Sequence, residues 1–221
     1  MIEFKGLNKW YPTKAGRSYV YKDLDLVLPM DKSVGIIGRN GAGKSTLIRM
    51  IGGADFPNSG EIRSNLSISW PLGLQGGTQG VMSGRENARF VARIHGVKDT
   101  REVEERVAEF ADIGRYFNEP MKSYSNGMRA RVMLGITTAF DFNFDVLLID
   151  ELTAVGDAQF KKKAVEVVNE KLSSSKVIMV HHGMAQLKQF CQAGLLIKNQ
   201  SALYFDDIDE AIKCYNDVQR K

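Results

Sequence analysis

The chain is poor in cysteine and has no long apolar run, and both features narrow its possible class. Its 221 residues include two cysteines, Cys191 and Cys214, which are far apart and match no metal-binding or redox spacing. We therefore expect reduced thiols in a reducing compartment. No segment reaches the ~18 apolar residues of a membrane-spanning helix, and the N-terminal MIEFKGLNKWYP lacks the apolar core of a signal peptide. These features predict a cytoplasmic protein that can still dock onto a membrane partner.

Charge of neither sign dominates. The sequence has 30 basic and 26 acidic residues, a net charge of +4, which is too mixed to indicate nucleic acid or an anionic membrane as a partner. We therefore expect no nucleic-acid partner. A hydrophobic content of 43% and a charged content of 25% are typical of a globular chain that buries its own core.

Short strands alternate with helices along most of the chain. Residues 1–30 contain two β-like runs joined by the turn-rich PTKAGRS, SVGIIG is a buried strand that ends in a glycine, and STLIRMIGG is a helix that stops at its glycine pair. EIRSNLSISW predicts one strand, and the glycine-rich residues 71–84 predict a loop.

The second half of the chain repeats the alternation after a helical block. The pattern is helical from about 85 to 140, where Phe90, Val91 and Ile94 share one face. FDVLLIDE and KVIMVHH predict buried strands on either side of the helix FKKKAVEVVNEKL, and a hairpin and a last helix follow. These elements predict an α/β core with a mainly parallel sheet and an α-helical insertion.

One glycine-rich stretch matches the phosphate-binding loop, G-x-x-x-x-G-K-[ST], between a strand and a helix. Glycines allow successive backbone N–H groups to point inward, and the helix start adds further N–H groups and its positive dipole end. A lysine then places a cation on the outer phosphates, and a hydroxyl offers an oxygen to Mg²⁺. The predicted nucleotide-binding residues are Gly38, Arg39, Asn40, Gly41, Ala42, Gly43, Lys44, Ser45 and Thr46.

A second motif completes the chemistry of a nucleoside triphosphatase. The apolar strand VLLID ends in Asp150 and is followed by Glu151. Asp150 can hold, usually through water, a magnesium ion that the Ser45 hydroxyl also contacts. Glu151 can accept a proton from an attacking water. The alternative is a strand followed by an acidic helix cap.

A third motif, Ser125-Asn126-Gly127, begins an apolar helix, which is another end that favours phosphate. Ordinary helix capping is the alternative. Together with its flanking residues, YSNGMRAR resembles the signature of ATP-binding-cassette (ABC) proteins, although Tyr124, Asn126 and Met128 depart from the common LSGGQ pattern.

The resemblance to ABC proteins covers essentially the whole chain. Asp157 in TAVGDAQF resembles the D-loop, His182 after KVIMV resembles the switch histidine, with His181 as the alternative, and Tyr11 resembles the aromatic that stacks on adenine. A family glutamine corresponds to Gln79 or Gln75; GGTQG favours Gln79, and a purely structural role for both glutamines stays open.

The resemblance implies the ABC ATPase fold: a single domain over residues 1–221 with a P-loop NTPase core, an N-terminal antiparallel β region and a helical subdomain at about 85–140. It also implies ATP and Mg²⁺ as cofactors, with Glu151 and His182 catalytic. Two copies are expected to pair so that each signature closes on the γ-phosphate held by the other.

SWPLGLQGGTQGVMSGREN and IDELTAVGDAQF resemble in particular the ATPases of capsular-polysaccharide exporters. This subgroup implies an integral membrane permease as partner, a place on the cytoplasmic face of the inner membrane, and a polysaccharide handled mainly by the permease. The alternatives are another cargo (O-antigen, teichoic acid, lipid or drug) or a soluble ABC ATPase that acts without a permease. A P-loop kinase or GTPase would leave the signature unexplained.

Overall fold

The computed structural model describes residues 1–72, 79–94, 96–139, 144–150, 160, 162–163, 165–166, 170, 175–181 and 183–219. They fall into two compact units. The first contains the described residues of Met1–Pro71, Phe144–Asp150 and Ser174–Lys221, and the second contains those of Leu72–Asn143 and Glu151–Ser173.

The strands and helices of the described residues have the following bounds. The strands are β1 (Ile2–Thr13), β2 (Gly16–Leu28), β3 (Val34–Ile37), β4 (Ser59–Ser64), β5 (Ile68–Leu72), β6 (Val146–Asp150), β7 (Lys176–Val180), β8 (Ala193–Lys198) and β9 (Ser201–Phe205). The helices are α1 (Lys44–Ile51), α2 (Gly84–Ile94), α3 (Arg101–Ala111), α4 (Asn126–Thr138), α5 (Met184–Phe190) and α6 (Ile208–Gln219). The described residues between 160 and 170 are also helical.

An antiparallel sheet forms the N-terminal part of the first unit, in the order β2-β1-β4. The prediction of one strand over EIRSNLSISW is wrong, because the chain leaves β4 at Ser64 and enters the other sheet as β5 at Ile68. No glycine or proline interrupts EIRSNLSISW, so only the tertiary partners of its two halves divide it. The predicted loop over residues 71–84 is likewise shorter at both ends, since β5 continues to Leu72 and α2 begins at Gly84.

The second sheet has six strands in the order β5-β6-β7-β3-β8-β9. β3 pairs in parallel with β7 and with β8, and β6 pairs in parallel with β7, whereas β8 and β9 form an antiparallel hairpin. Every residue of β3 and β6 is buried, which is why both strands appear in the sequence as continuous apolar runs. The predicted α/β class with a mainly parallel sheet is confirmed.

The second unit is built from α2, α3 and α4 with two 3₁₀ turns, Gly114–Asn118 and Met121–Ser123. In α2 the buried positions include Ala88 and Ala92, while Phe90 is 41% exposed and Ile94 is 64% exposed. The face shared by Phe90 and Ile94 is therefore not the face that packs in this unit. Small residues pack there instead because they allow the helices a close approach. The short helix α5, which follows β7, was not predicted from the sequence.

A buried carboxylate fastens α2 to α3. Glu104 is 3% exposed and accepts hydrogen bonds from Arg89 Nε (2.7 Å), Arg89 Nη2 (3.0 Å), Arg85 Nη1 (3.3 Å) and Thr100 Oγ1 (2.9 Å). The hydrogen bonds from Arg89 above all, together with those from Thr100 and Arg85, lower the pKa of Glu104 from its ordinary value of 4.5 to about 2, although burial opposes this shift.

Replacing Glu104 with Gln is expected to lower the free energy of unfolding at pH 7 by about 2 kcal/mol, because two guanidinium groups lose their charged partner. A carboxyl whose pKa is lowered by folding stabilises the protein above its unfolded pKa, and that contribution is lost as the pH falls towards the folded pKa. The difference between wild type and variant should therefore shrink between pH 4.5 and pH 2, the interval set by the two pKa values.

Urea denaturation across this pH range measures the effect of Glu104→Gln. Glu102→Gln serves as the control, because the Glu102 side chain is 82% exposed and its ion pair with Arg106 is long, at 3.8 Å. Equal stability of the two variants at pH 7 would contradict the role given to Glu104.

Candidate nucleotide-binding site

The phosphate-binding loop connects β3 to α1 in a conformation that only glycine adopts without strain. Gly41 and Gly43 have φ angles of +76° and +106°, in the left-handed region. The Ala42 amide donates to the Arg39 carbonyl at 3.1 Å and closes a tight turn. Arg39, Asn40 and Gly41 are exposed, whereas Gly38, Ala42 and Ser45 are half-buried. The loop is thus an open cradle of backbone groups at the start of a helix.

The start of α1 is available to a ligand. Gly43 is its N-cap, and no side chain in the described part of the chain caps it by a hydrogen bond. The first N–H groups of a helix have no partner within the helix, and they carry the positive end of its dipole. An anion can therefore bind at this position.

A strand of the antiparallel sheet packs against the loop and fixes its shape. Lys9 pairs with Tyr21 and Trp10 with Tyr19, so Val20 is an extra residue that bulges out of the ladder. The buried Tyr21 donates its hydroxyl to the Gly43 carbonyl at 3.0 Å, and burial raises its pKa, which keeps the donor protonated. A Cβ on Gly43 would lie 2.4 Å from Val20 Cγ1.

The requirement for glycine at position 43 therefore has two causes, the backbone angle and this close contact. The support that Val20 and Tyr21 give to the loop was not predicted from the sequence. The only signal in the sequence was the run of apolar and aromatic residues in SYVY, where strict alternation breaks.

Lys44 lies over the loop that it follows. Its ammonium donates to the Gly38 carbonyl at 2.8 Å and to the Arg39 carbonyl at 2.9 Å. The positive charge is thus held above the cradle formed by the glycines. Thr46 is buried, and its hydroxyl accepts a hydrogen bond from Arg49 at 3.4 Å.

Asp150 lies at the same edge of the sheet as the loop. In the parallel ladders Asp150 pairs with Val180, and Val180 pairs with Ile36, two residues before Gly38. Asp150 is therefore two strand spacings, about 10 Å, from the end of β3. Its carboxylate is 5% exposed. A carboxylate and the Ser45 hydroxyl are hard oxygen donors that suit Mg²⁺, an ion that takes few protein ligands when it binds with phosphates.

Several residues predicted from the sequence lie outside the described residues: Gln75, Glu151, Asp157 and His182. Their roles stay predictions. His181, the alternative to His182, directly follows β7, and its Nδ1 accepts a hydrogen bond from the Gly183 amide at 2.8 Å. No three His, Cys, Asp or Glu side chains within the described ranges cluster closely enough to hold a metal ion.

Tyr11 is tethered by two neighbours. Its hydroxyl donates to Asp55 Oδ2 at 3.0 Å, and the Lys9 ammonium lies 4.9 Å from the centre of its ring. The buried Lys9 also donates to Asp55 Oδ1 at 2.6 Å and to the Phe56 carbonyl at 2.7 Å. Burial of Asp55 favours its neutral form, but the hydrogen bonds from Lys9, Phe56 and Tyr11 hold its pKa below the ordinary value. Tyr11 is 39% exposed, so part of the ring is open to a ligand.

We propose that Tyr11 stacks on the base of the nucleotide, and Tyr11→Ala tests this role. The variant should bind ATP about 10-fold more weakly, since stacking on an aromatic contributes roughly 1–3 kcal/mol per base. Binding of inorganic tripolyphosphate, which has no base, should not change. Tyr11→Phe keeps the ring and is the matched control. Calorimetric titration that finds equal ATP affinity for Tyr11→Ala and wild type would contradict the stacking role.

The signature residues belong to the second unit. Ser125 is the N-cap of α4, and its Oγ accepts a hydrogen bond from the Met128 amide at 3.2 Å. Ser125 and Asn126 are exposed, and Gly127 is half-buried. Gln79 is exposed as well, and its backbone is held by the buried Asn87. In ordinary capping the Ser125 hydroxyl serves its own helix, but its exposure leaves it reachable by another molecule.

The fold and this loop are those of a nucleoside-triphosphate-binding protein of the P-loop class. The sequence profile of the ABC transporter family matches residues 21–154. The polysialic acid transport ATP-binding protein KpsT of Escherichia coli is 48% identical over 223 residues, which cover 99% of each chain. The capsule polysaccharide export ATP-binding protein CtrD of Neisseria meningitidis serogroup B is 39% identical over 218 residues, 99% of this chain and 100% of that one. The chain therefore belongs to the ABC transporter family.

A solved structure agrees on the fold. The ATP-binding cassette MJ0796, in a dimeric post-hydrolysis state bound to ADP and phosphate, superimposes with a TM-score of 0.74 at 19% identity, over 94% of this chain and 99% of that one. This similarity confirms the ABC ATPase fold predicted from the sequence. None of the helices in the described part of the chain is long and apolar enough to cross a membrane.

Proposed function

We propose that this chain is the ATP-hydrolysing subunit of an ABC exporter that moves capsular polysaccharide across the inner membrane. The observation that carries the proposal is the phosphate-binding loop between β3 and α1, in a chain that is similar to KpsT over 99% of both sequences. The name of that relative specifies polysialic acid transport, and CtrD is named for capsule polysaccharide export.

The residues of the loop bind the triphosphate. Backbone N–H groups of the glycine turn and of the α1 start surround the β- and γ-phosphates, and Lys44 exchanges its two carbonyl partners for phosphate oxygens. Tyr11 stacks on adenine. Ser45 and Asp150 would hold Mg²⁺, which neutralises phosphate charge when it is bound. Glu151 accepts the proton of the attacking water, and His182 contacts the γ-phosphate.

Two copies of the chain form each complete site. Ser125, Asn126 and Gly127 of one copy close on the γ-phosphate held by the loop of the other, with Gln79 and Asp157 at the border of the site. Binding of ATP draws the copies together, and hydrolysis releases them. An integral membrane permease converts this movement into transport and handles most of the polysaccharide, and we infer that the chain binds it on the cytoplasmic face of the membrane.

Deletion of the gene for this protein from an encapsulated bacterium tests whether capsular polysaccharide is the cargo. We expect polymer to accumulate inside the cell and disappear from its surface, and wild-type protein but not Lys44→Ala to restore the surface polymer. Immunogold labelling of the polymer on sections locates it. Normal surface capsule in the deletion strain would reject capsular polysaccharide as the cargo and leave another exported polymer or lipid, while ATP hydrolysis by the purified chain is measured separately.

A further inference from the structure

One buried side chain holds the turn that carries Gln79. Asn87, on α2, is 0% exposed, and its Oδ1 accepts the Gln79 amide at 2.7 Å. Its Nδ2 donates to three carbonyls, those of Gln79 (3.1 Å), Met82 (3.3 Å) and Ser83 (2.8 Å). Nδ2 also donates to Met121 Sδ at 3.2 Å, in the segment that leads into the signature. A buried carboxamide whose backbone partners all lie in one turn fixes the backbone of that turn while the Gln79 side chain stays outside.

The same turn is joined to the segment that leads into the signature. The Lys122 amide donates to the Gly80 carbonyl at 2.8 Å, and the Met121 amide donates to the Met82 carbonyl at 2.9 Å. Ser83, which directly precedes α2, forms an antiparallel bridge with Pro120. Residues 79–84 and 120–124 are therefore connected by backbone hydrogen bonds, although they are about 40 residues apart in the chain.

Tyr124 closes this connection next to Ser125. Its buried hydroxyl accepts the Gly84 amide at 3.0 Å and donates to the Tyr116 carbonyl at 2.7 Å. Burial raises the pKa of Tyr124, so the hydroxyl stays protonated and can do both. A Cβ on Gly84 would lie 2.9 Å from this hydroxyl and 2.8 Å from Phe117 Cδ2, which accounts for glycine at position 84. The tyrosine that departs from the LSGGQ pattern thus has a specific structural partner.

We propose that Asn87 and Tyr124 are positioning residues that make the Gln79 turn and the start of the signature helix one rigid unit. The proposal rests on the proposed function, in which Gln79 lies at the border of the nucleotide site and Ser125 closes on the γ-phosphate held by the other copy. A movement of Gln79 on ATP binding then displaces Ser125 by the same rigid-body step. The nucleotide bound by one copy thereby sets the position of the Ser125 that closes on the nucleotide of the other copy.

Tyr124→Phe removes the linking hydroxyl and keeps the ring. In a Glu151→Gln background, which stops hydrolysis, we expect the affinity of the monomer for ATP to stay within twofold, because the phosphate loop is untouched. The dissociation constant of the ATP-bound dimer should rise about 10-fold, the effect of losing about one hydrogen bond. Calorimetry at low protein concentration and analytical ultracentrifugation measure the two quantities, and Tyr116→Phe, whose hydroxyl is not part of the connection, is the matched control.

A double-mutant cycle separates a positioning role from a general loss of stability. Gln79→Ala and Tyr124→Phe should each weaken the dimer, and the double variant should be no weaker than the worse single one, because both act through the same displacement. Asn87→Asp keeps the acceptor for the Gln79 amide and loses every hydrogen bond that Nδ2 donates, so it should also weaken the dimer at unchanged monomer affinity. Thermal melting of each variant checks that the fold is retained.

Two outcomes overturn the inference in distinguishable ways. If the Glu151→Gln parent dimerises with ATP and both Tyr124→Phe and Asn87→Asp dimerise equally well, the positioning role is wrong and the proposed function stands. Fully additive effects of Gln79→Ala and Tyr124→Phe would likewise show that the two sites do not move together. If the parent itself stays monomeric with Mg²⁺ and ATP, the proposed function fails, and the inference fails with it.

Discussion

Glu151→Gln is expected to bind ATP normally and to hydrolyse it at least about 100-fold more slowly than wild type, since a positioned general base contributes 10²–10⁴-fold to the rate. The physical reason lies in the strand before it. The buried β6 ends at Asp150, at the edge of the sheet where β3 delivers the phosphate loop. Glu151 is the next residue along the chain, and we propose that it takes the proton of the water that attacks the γ-phosphate. The amide of Gln keeps the size of the side chain but cannot take the proton.

Phosphate release and equilibrium binding of ATP, measured on the same preparation, separate the two expectations for Glu151→Gln. Glu102→Gln is the control for loss of one carboxylate, because that side chain is exposed on α3. Hydrolysis by Glu151→Gln at the wild-type rate would exclude the base role. A parallel loss of ATP binding would instead assign Glu151 to the binding of the nucleotide.

Lys44→Ala is expected to weaken ATP binding by about 100-fold and to abolish measurable turnover. Hydrogen bonds between a charged donor and a phosphate are roughly twice as strong as neutral ones, and this ammonium is already held over the loop by the Gly38 and Arg39 carbonyls. Without it, the outer phosphates lose the cation that exchanges these two carbonyls for phosphate oxygens. Adenosine, which has no phosphates, should bind both proteins equally.

Lys44→Arg is the informative second variant at this position. It keeps the charge, but the planar guanidinium is longer and cannot make the same compact contact with two carbonyls of the loop. We expect it to bind ATP better than Lys44→Ala and to hydrolyse it poorly. An ATP titration of Lys44→Ala that matches wild type would contradict the placement of the phosphates in this loop.

Much of the fold could be predicted from the sequence because its strongest signals are local. β3 and β6 are buried on both faces, so they appear as apolar runs; β3 is followed directly by Gly38 of the phosphate loop, and β6 ends in Asp150. The phosphate loop needs left-handed backbone angles at Gly41 and Gly43, and the glycines in the sequence indicate such angles directly. The placement of the phosphate loop and Asp150 at one edge of the sheet follows from the same signals, since parallel strands joined through helices have their carboxyl ends at one edge.

The features that the sequence did not predict depend on contacts between distant residues. EIRSNLSISW has the composition of one strand, and only the presence of two sheets divides it between β4 and β5. The bulge at Val20 lies beside Tyr21, whose hydroxyl donates to the Gly43 carbonyl, a contact between residues that are 22 positions apart. Asn87 belongs, by its spacing, to an ordinary helix face, and its role arises from a turn that lies eight residues earlier and folds back onto it. The roles of Glu151, Asp157 and His182 stay predictions that mutagenesis must test.

The central claim is that each ATP is enclosed between the phosphate loop of one copy and the signature of another, and a mixture of two defective variants tests it most directly. In the Glu151→Gln background, one variant carries Lys44→Ala, which damages the loop, and the other carries Ser125→Arg, which damages the signature. When the two are mixed, the loop of the Ser125→Arg variant and the signature of the Lys44→Ala variant can form one intact site. We predict that neither variant alone forms a dimer with Mg²⁺ and ATP in the ultracentrifuge, whereas the mixture forms a heterodimer that retains one ATP. If the mixture stays monomeric while the Glu151→Gln parent dimerises, or if Ser125→Arg dimerises by itself, the sites are not shared between copies in this way.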